Sequence, residues 1–325
     1  MKRICVIEVL AILIIGLVFG NAFADSADTY PNRPIKIIVS FTAGGTTDIL
    51  TREVANQMSM RWKVPVIVEN KPGAAGNLGT EIVGRSVPDG YTLLASSSGP
   101  IAVNPTLFRN LAVNPQKELQ PLALLADVPN VLVIPGNSPE NNYKEFLIYA
   151  KGKNVDLSYG STGIGTAAHL LGFLFSQRAN LHATHIPYKG AEATRDLVSG
   201  QLQYMFATAP SVIPLIKSGQ LKAIAVSAKT RMKALPDVPT LIEYGVDMTA
   251  GAWFGLFAPV KTDPAIVQKI NEMAVSILES PALKLKLSMQ GADAMPMSVN
   301  EFTKFVHADF ELWAPVVKAS GARPE

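Results

Sequence analysis

The sequence reads as an α/β protein of two domains with mainly parallel sheets, and three features carry that reading. Its 325 residues exceed what one ordinary core holds. Apolar runs of strand length alternate with segments of helical period from one end to the other. Near position 128, and again near 250, the chain is expected to pass between two such sets of elements, so that a hinge is crossed twice. The expected division is a leader over 1–24, one discontinuous domain over 25–127 and 250–325, and a second domain over 128–249.

In the leader, Lys2 and Arg3 form a positive start, residues 9–19 are an uninterrupted apolar run, and Ala22-Phe23-Ala24 fits the small-x-small cleavage rule. The alternative, a membrane anchor, needs roughly 20 apolar residues, and Glu8 shortens a run that is already too brief. The segment is therefore expected to be a signal peptide cut after Ala24, with the mature protein in the periplasm. Cys5 is the only cysteine and lies inside it, which leaves the mature chain no disulfide, thiol nucleophile or thiolate metal ligand. The formal net charge of +3 includes a net +1 from Lys2, Arg3 and Glu8, and what remains is small and evenly spread. That balance argues against nucleic acid as a partner.

The first strand is expected at 35–39, where Ile35, Ile37, Ile38 and Val39 are too continuous for a strand with one wet face. Ile49, Leu50, Val54 and Met58 then recur at helical spacing. Between them lies a glycine elbow. Phe41 leads into it, Gly44 and Gly45 turn the backbone, and Thr46, Thr47 and Asp48 put amides and hydroxyls at a helix N-terminus. Such an elbow suits an anion, although glycine and threonine also serve simply to turn a strand into a helix. It is no P-loop, since no lysine follows at the required spacing, and no dinucleotide fingerprint. Next come an expected strand at 64–69, a glycine-rich loop at 73–79 and a helix at 80–87. A strand at 91–95 then opens into Ser96-Ser97-Ser98-Gly99, a third donor-rich edge, on the side of the sheet where ligands lie in open α/β folds.

Apolar runs at 119–126 and 131–134 are separated by Asp127-Val128-Pro129-Asn130, read as the hinge. A helix is expected to begin at Ser138-Pro139 and stop at Gly152, with a strand at 157–160 after it. Ser161, Thr162, Gly163, Gly165 and Thr166 then repeat the chemistry of the first elbow ahead of an apolar helix at 167–175, and His169 sits at that helix's start. Gly163, Gly165 and Ala168 also satisfy G-x-G-x-x-A, but the strand near 184–187 ends in Tyr188-Lys189 where a dinucleotide site needs an acidic residue. Gly160-Ser161-Thr162-Gly163 misses the nucleophile elbow G-x-S-x-G by one position. His182 and His185, three apart on an extended segment, point to opposite faces and do not readily chelate one metal. His307 belongs to the surface or packing of the last helix. No nucleophile–base pair, metal set or cofactor site emerges.

The second domain continues with a helix at 190–200, a strand at 202–206 ending near Thr208, a helix from Pro210, a strand at 221–226 and an irregular proline-rich stretch at 235–240. A strand at 251–259 returns the chain to the first domain, and its Trp253 and Phe254 suit either a ligand stack or the core. Three helices close the chain, opened by Asp263-Pro264, by Ser280-Pro281 and by the capping box of Ser298 and Glu301.

Taken in order, the blocks SFTAGGTTDILTRE (40–53), VENKPGAAGNLGT (68–80), PDGYTLL (88–94), YGSTGIGTAAHL (159–170), HIPYKG (185–190), LPDVPTLIEYG (235–245) and WFGLFAP (253–259) resemble the Bug family of extracytoplasmic binding proteins. These are the solute receptors of tripartite tricarboxylate transporters. The resemblance spans essentially the whole mature chain and implies a two-domain periplasmic binding protein of the Venus-flytrap type, type II-like, with a small organic acid as ligand. It implies that the carboxylate is held by amides, hydroxyls and ordered waters of the loops at 41–48 and 161–166. Ser40 stands where the family usually has proline and Thr51 where it usually has alanine, and the donor pattern survives both.

Neutral donors without a cationic cluster suit a carboxylate better than a phosphate. The expectation is therefore a periplasmic carboxylate receptor, monomeric, without cofactor or catalysis, whose implied partners are membrane subunits of the tripartite tricarboxylate type. Its expected ligand set is the elbow residues Phe41, Gly44 to Asp48, Ser161 to Gly163, Gly165 and Thr166, with Ser96, Ser98, His169 and Thr208 beside them. The alternative is a secreted hydrolase or oxidoreductase using the same cleft. A regulatory effector-binding domain would need an attached DNA-binding module, against which the signal peptide argues. N-terminal sequencing of the exported protein is expected to read Asp25 first, and a retained Met1 in a membrane fraction would refute both the export and the receptor reading.

Overall fold

The computed structural model describes residues 29–152, 156–190 and 192–320, so the expected leader lies outside the described residues. In chain order the strands are β1 (Ile35–Val39), β2 (Val66–Asn70), β3 (Thr92–Ser97), β4 (Leu119–Pro135), β5 (Leu157–Ser161), β6 (Ala183–Pro187), β7 (Tyr204–Thr208), β8 (Leu221–Val226), β9 (Gly251–Pro259) and β10 (Asp293–Ala294). β1 lies between β2 and β3, parallel to both, with Ile35, Ile37, Ile38 and Val39 all buried. A strand covered on both faces has no reason to alternate, which is why this run reads as continuous. The same parallel arrangement recurs at the far flank, where β5 lies between β6 and β7. Between the flanks the ladders are antiparallel: β9 joins β3 to β4, and β4 goes on to pair with β7 and β8.

Helices pack on these sheets: α1 (Thr46–Trp62), α2 (Asn77–Gly84), α3 (Tyr143–Ala150), α4 (Ala167–Ala179), α5 (Glu192–Val198), α6 (Ala209–Lys217), α7 (Pro264–Leu278), α8 (Pro281–Met289) and α9 (Val299–Ser320). α1 presses Leu50, Val54 and Met58 onto the first sheet, the stripe that its spacing predicts, whereas Ile49 is only half-buried. Among the described residues no helix is long and apolar enough to cross a membrane.

The structure corrects the sequence reading in several places. Asp127-Val128-Pro129-Asn130 is not a loop between two strands but the middle of one 17-residue strand. Leu119 to Pro129 pair with β9, and from Asn130 onward the same strand pairs with β7 and β8. Turn-forming composition is overridden there because β9 supplies partners for Asp127, Val128 and Pro129, and β7 supplies one for Asn130. α3 starts five residues later than Ser138, at the point where Asn142 accepts from the Glu145 amide at 3.0 Å, a cap that outcompetes proline as a start signal. α2 begins at Asn77, three residues early, and β2 and β7 are each displaced by about two residues from their expected starts.

Two histidines pack behind the second elbow. The rings of His169 and His185 stack at 4.0 Å, and His169 Nδ1 accepts from the Gly165 amide at 3.1 Å. Burial pushes His169 down to about 4, and burial together with the neighbouring His169 pushes His185 down to about 3. Both folded-state values lie below the ordinary 6.5, so the unfolded chain takes up protons first and stability is lost as pH falls from 6.5 towards 4 and 3. By pH 5 the cost is about 2 kcal/mol for His169. Melting curves between pH 7.5 and 4.5 are therefore expected to fall more steeply for the wild type than for the double variant His169→Asn/His185→Gln, whose amides keep the hydrogen bonds without titrating. Parallel curves would refute the role given to the pair.

Candidate functional site

The first elbow is set by its own short-range chemistry. Gly44 adopts φ +80°, a left-handed conformation that glycine tolerates best, and the chain then enters α1 with Thr46 and Thr47 as its first two residues. Their amides have no backbone acceptor, as helix geometry dictates for the first turn. Asp48 does not face the opening. Its Oδ2 accepts from the Gly44 amide at 3.0 Å, and its Oδ1 accepts from Arg52 Nε and from Asn70 Nδ2, each at 2.9 Å. Burial alone would push its carboxyl up, but the bonds from Arg52, Gly44 and Asn70 outweigh it and hold the group below its usual range. The side chain is a brace for the turn, and Asn70 extends it by donating to the Phe41 carbonyl at 3.0 Å.

The second elbow is built likewise. Thr166 caps α4: its Oγ1 donates to the Gly163 carbonyl at 2.7 Å and accepts from the His169 amide at 3.4 Å. Gly165 turns at φ +81° with its amide on His169. Ser161 is fully buried, its hydroxyl accepting from the Gly163 amide at 3.2 Å and lying 2.7 Å from His185 Nε2. That Ser–His pair is absent from the sequence reading, yet it sits beneath the elbow, with the rings of Tyr159 and His169 against the imidazole. It gives the hydrolase alternative no support. The first two amides of α4, on Ala167 and Ala168, have no backbone acceptor.

Both helix starts border one cavity of about 370 Å³. Phe41, Gly44, Gly45, Thr46 and Thr47 line it from one side, and Thr162, Thr166, Ala167 and Ala168 from the other. Thr208, at the end of β7, completes the closure, its Oγ1 lying 2.6 Å from Thr46 Oγ1. Gly190 packs so tightly on Thr42 that a side chain there has no room. The hydroxyls of Thr47, Ser97, Thr162 and Thr194 reach the cavity wall with no protein partner among the described residues.

Of the expected ligand set, Asp48, Ser96, Ser98, Ser161, Gly163, Gly165 and His169 lie behind the wall instead of on it. For Ser96 the reason is strand alternation: Ser97 faces the cavity, so Ser96 points the other way, 2.8 Å from Ser40 Oγ inside the sheet, whereas Ser98 has already left the strand and is helical, with φ −46° and ψ −39°. Sequence reasoning missed Ala167 and Ala168, whose contribution is backbone, and Asn130, which by sequence reads as part of the hinge. Asn130 is fully buried on the wall, with neither Oδ1 nor Nδ2 partnered. Leaving such atoms unmet costs on the order of 1–3 kcal/mol, so a group that fills the cavity can recover it. Phe254 also lines the wall, while Trp253 turns into the core and donates to Asp309 at 2.8 Å. Among the described residues, no three side chains of metal-ligating type converge.

Comparison with known proteins fits this geometry. Residues 50–322 match the family described as Tripartite tricarboxylate transporter family receptor. Protein BugT of Bordetella pertussis is 35% identical over 94% of both chains. Two solved structures superpose closely: the periplasmic binding protein BugD, at TM-score 0.85 and 34% identity over 91% of this chain and all of its own, and the R. palustris protein Rpa4515 with adipate, at 0.88 and 30% over the same shares. The two-domain α/β fold with a cavity between two helix N-termini, and identity sustained over nearly the whole chain, make this protein a member of the tripartite tricarboxylate transporter receptor family, to which the Bug proteins belong.

Proposed function

We propose that the protein is a periplasmic receptor that closes two domains on a small carboxylate and delivers it unchanged to tripartite tricarboxylate-type membrane subunits. The observation that carries this reading is the pair of helix starts on one cavity, each contributing two amides without acceptors. An anion shared by both satisfies all four and gains from the positive end of each helix dipole. It does so only when the halves are together, so binding favours closure. Thr47 and Thr162 add one free hydroxyl from each side. The adipate bound by Rpa4515 supports a carboxylate as the ligand class.

In this reading, residues 25–127 with 250–325 form one domain, 128–249 form the other, and β4 and β9 carry the chain across. The contact of Thr46 with Thr208 is then the latch of the closed state. Export follows cleavage after Ala24, and the receptor works as a monomer.

Two single variants test the clamp, Thr47→Val and Thr162→Val. Thr166 is avoided because its hydroxyl already caps α4. A hydrogen bond to a charged group is worth about 1.5–3 kcal/mol, so each variant is expected to bind its carboxylate about tenfold to hundredfold more weakly by calorimetry. Solution scattering should show a smaller radius of gyration at saturating carboxylate, and mass spectrometry should recover the carboxylate without product. Unaltered affinity in both variants, or an unchanged radius, would rule out the two-elbow clamp. Turnover abolished by a change in one cavity residue would replace the receptor with an enzyme.

A further inference from the structure

Asn130 lies where β4 leaves β9 and joins β7 and β8. Its main chain is fully engaged: its amide donates to Ser227 Oγ at 3.0 Å, and its carbonyl accepts from the Ser227 amide at 2.8 Å. Ser227 is anchored in turn by donating to the Ala250 carbonyl at 2.6 Å. The backbone is thus pinned while the carboxamide, buried on the cavity wall, has neither of its polar atoms hydrogen-bonded. Because neither is partnered, the assignment of oxygen and nitrogen does not affect what the group requires.

A primary amide presents a donor and an acceptor together. A carboxylate meets only the donor and sets its negative oxygen against Oδ1. A hydroxyl or a carboxamide meets both. The rest of the wall offers no remedy for a second negative charge: among the described residues the one charged side chain on it is Arg195, which is 76% exposed and lies 3.5 Å from Asp196. Val198, Met205, Leu215 and Phe254 make much of the remaining surface apolar.

Building on the carboxylate reading above, we infer that the preferred ligand is a monoanion, a carboxylate that also carries an uncharged hydroxyl or carboxamide, and that Asn130 is the residue that selects for it. The carboxylate takes the two helix starts and the neutral group takes Asn130. A dicarboxylate of equal length is then a poorer ligand, in contrast to the adipate bound by Rpa4515.

The test is calorimetry on the mature protein with matched probes: succinamate against succinate, adipamate against adipate, and 3-hydroxybutanoate against butanoate. The wild type is expected to prefer the first of at least one pair by about tenfold to hundredfold, the value of one such hydrogen-bonded group. Asn130→Leu, which removes no protein hydrogen bond, should melt no lower than the wild type and bind the members of that pair within about twofold of each other. Equal binding of every pair by the wild type overturns the inference without need of the variant, as does a preference that survives in Asn130→Leu. In both cases carboxylates still bind and the receptor reading stands. If no probe of either kind binds the wild type, the receptor reading falls and the inference falls with it.

Discussion

The first turn of an α-helix leaves its amides without intrahelical partners, and this chain turns two such starts onto the same cavity. Most of the surrounding structure serves that arrangement. Asp48 accepts from Gly44, Arg52 and Asn70, so the first elbow is braced from behind while Thr46 and Thr47 stay uncommitted at their amides. His169 plays the corresponding part at the second elbow, where an uncharged imidazole can accept from Gly165 and an imidazolium cannot. Burial holds that ring neutral, so the brace persists across neutral pH. The ionised brace on one side and the neutral one on the other reach the same end by opposite electrostatic routes.

β4 connects the two halves as a rod and not as a loose tether. One strand from Leu119 to Pro135, its pairing shifted in register at Pro121/Ala123, Leu124/Ala126 and Leu132/Val133, places the transition between sheets at a single residue step, Pro129 to Asn130. Proline suits the last position of the first ladder, because it need not donate to a further partner. Asn130 then begins the second ladder with its backbone tied to Ser227. β4 and β9 are the strands that cross between the halves, close to the cavity. In the receptor proposed above, this proximity couples a ligand held at the crossing to closure.

The family relation agrees with this physical picture and leaves room for differences in ligand. The elbows offer backbone amides, which every relative with the same turns can present whatever its side chains. Selectivity must then come from the remaining wall, where side chains such as Asn130, Thr194 and Phe254 differ in what they accept.

The sequence by itself determined the local elements of this site. Gly44 and Gly45 before Thr46, and Gly163 and Gly165 before Thr166, specify strand-to-helix elbows, because a left-handed turn and an N-cap are set by a few adjacent residues. The buried strand β1, the apolar stripe of α1, the strand β9 and the capping box at Ser298 were legible for the same reason. Which side chains face the cavity was decided only by tertiary structure. Ser97 and not Ser96 reaches the wall because of the pleat, Ser98 turns away where the chain leaves the strand for a helical turn, and Asp48 turns inward because Arg52 and Asn70 are there to meet it. Ala167 and Ala168 contribute through amides that no side chain announces, and Asn130 becomes part of a strand because β9, about 120 residues later in sequence, pairs with the run that leads to it. Local chemistry writes the turns, but long-range pairing and burial choose which polar atoms are left without partners, and those atoms are what a ligand meets.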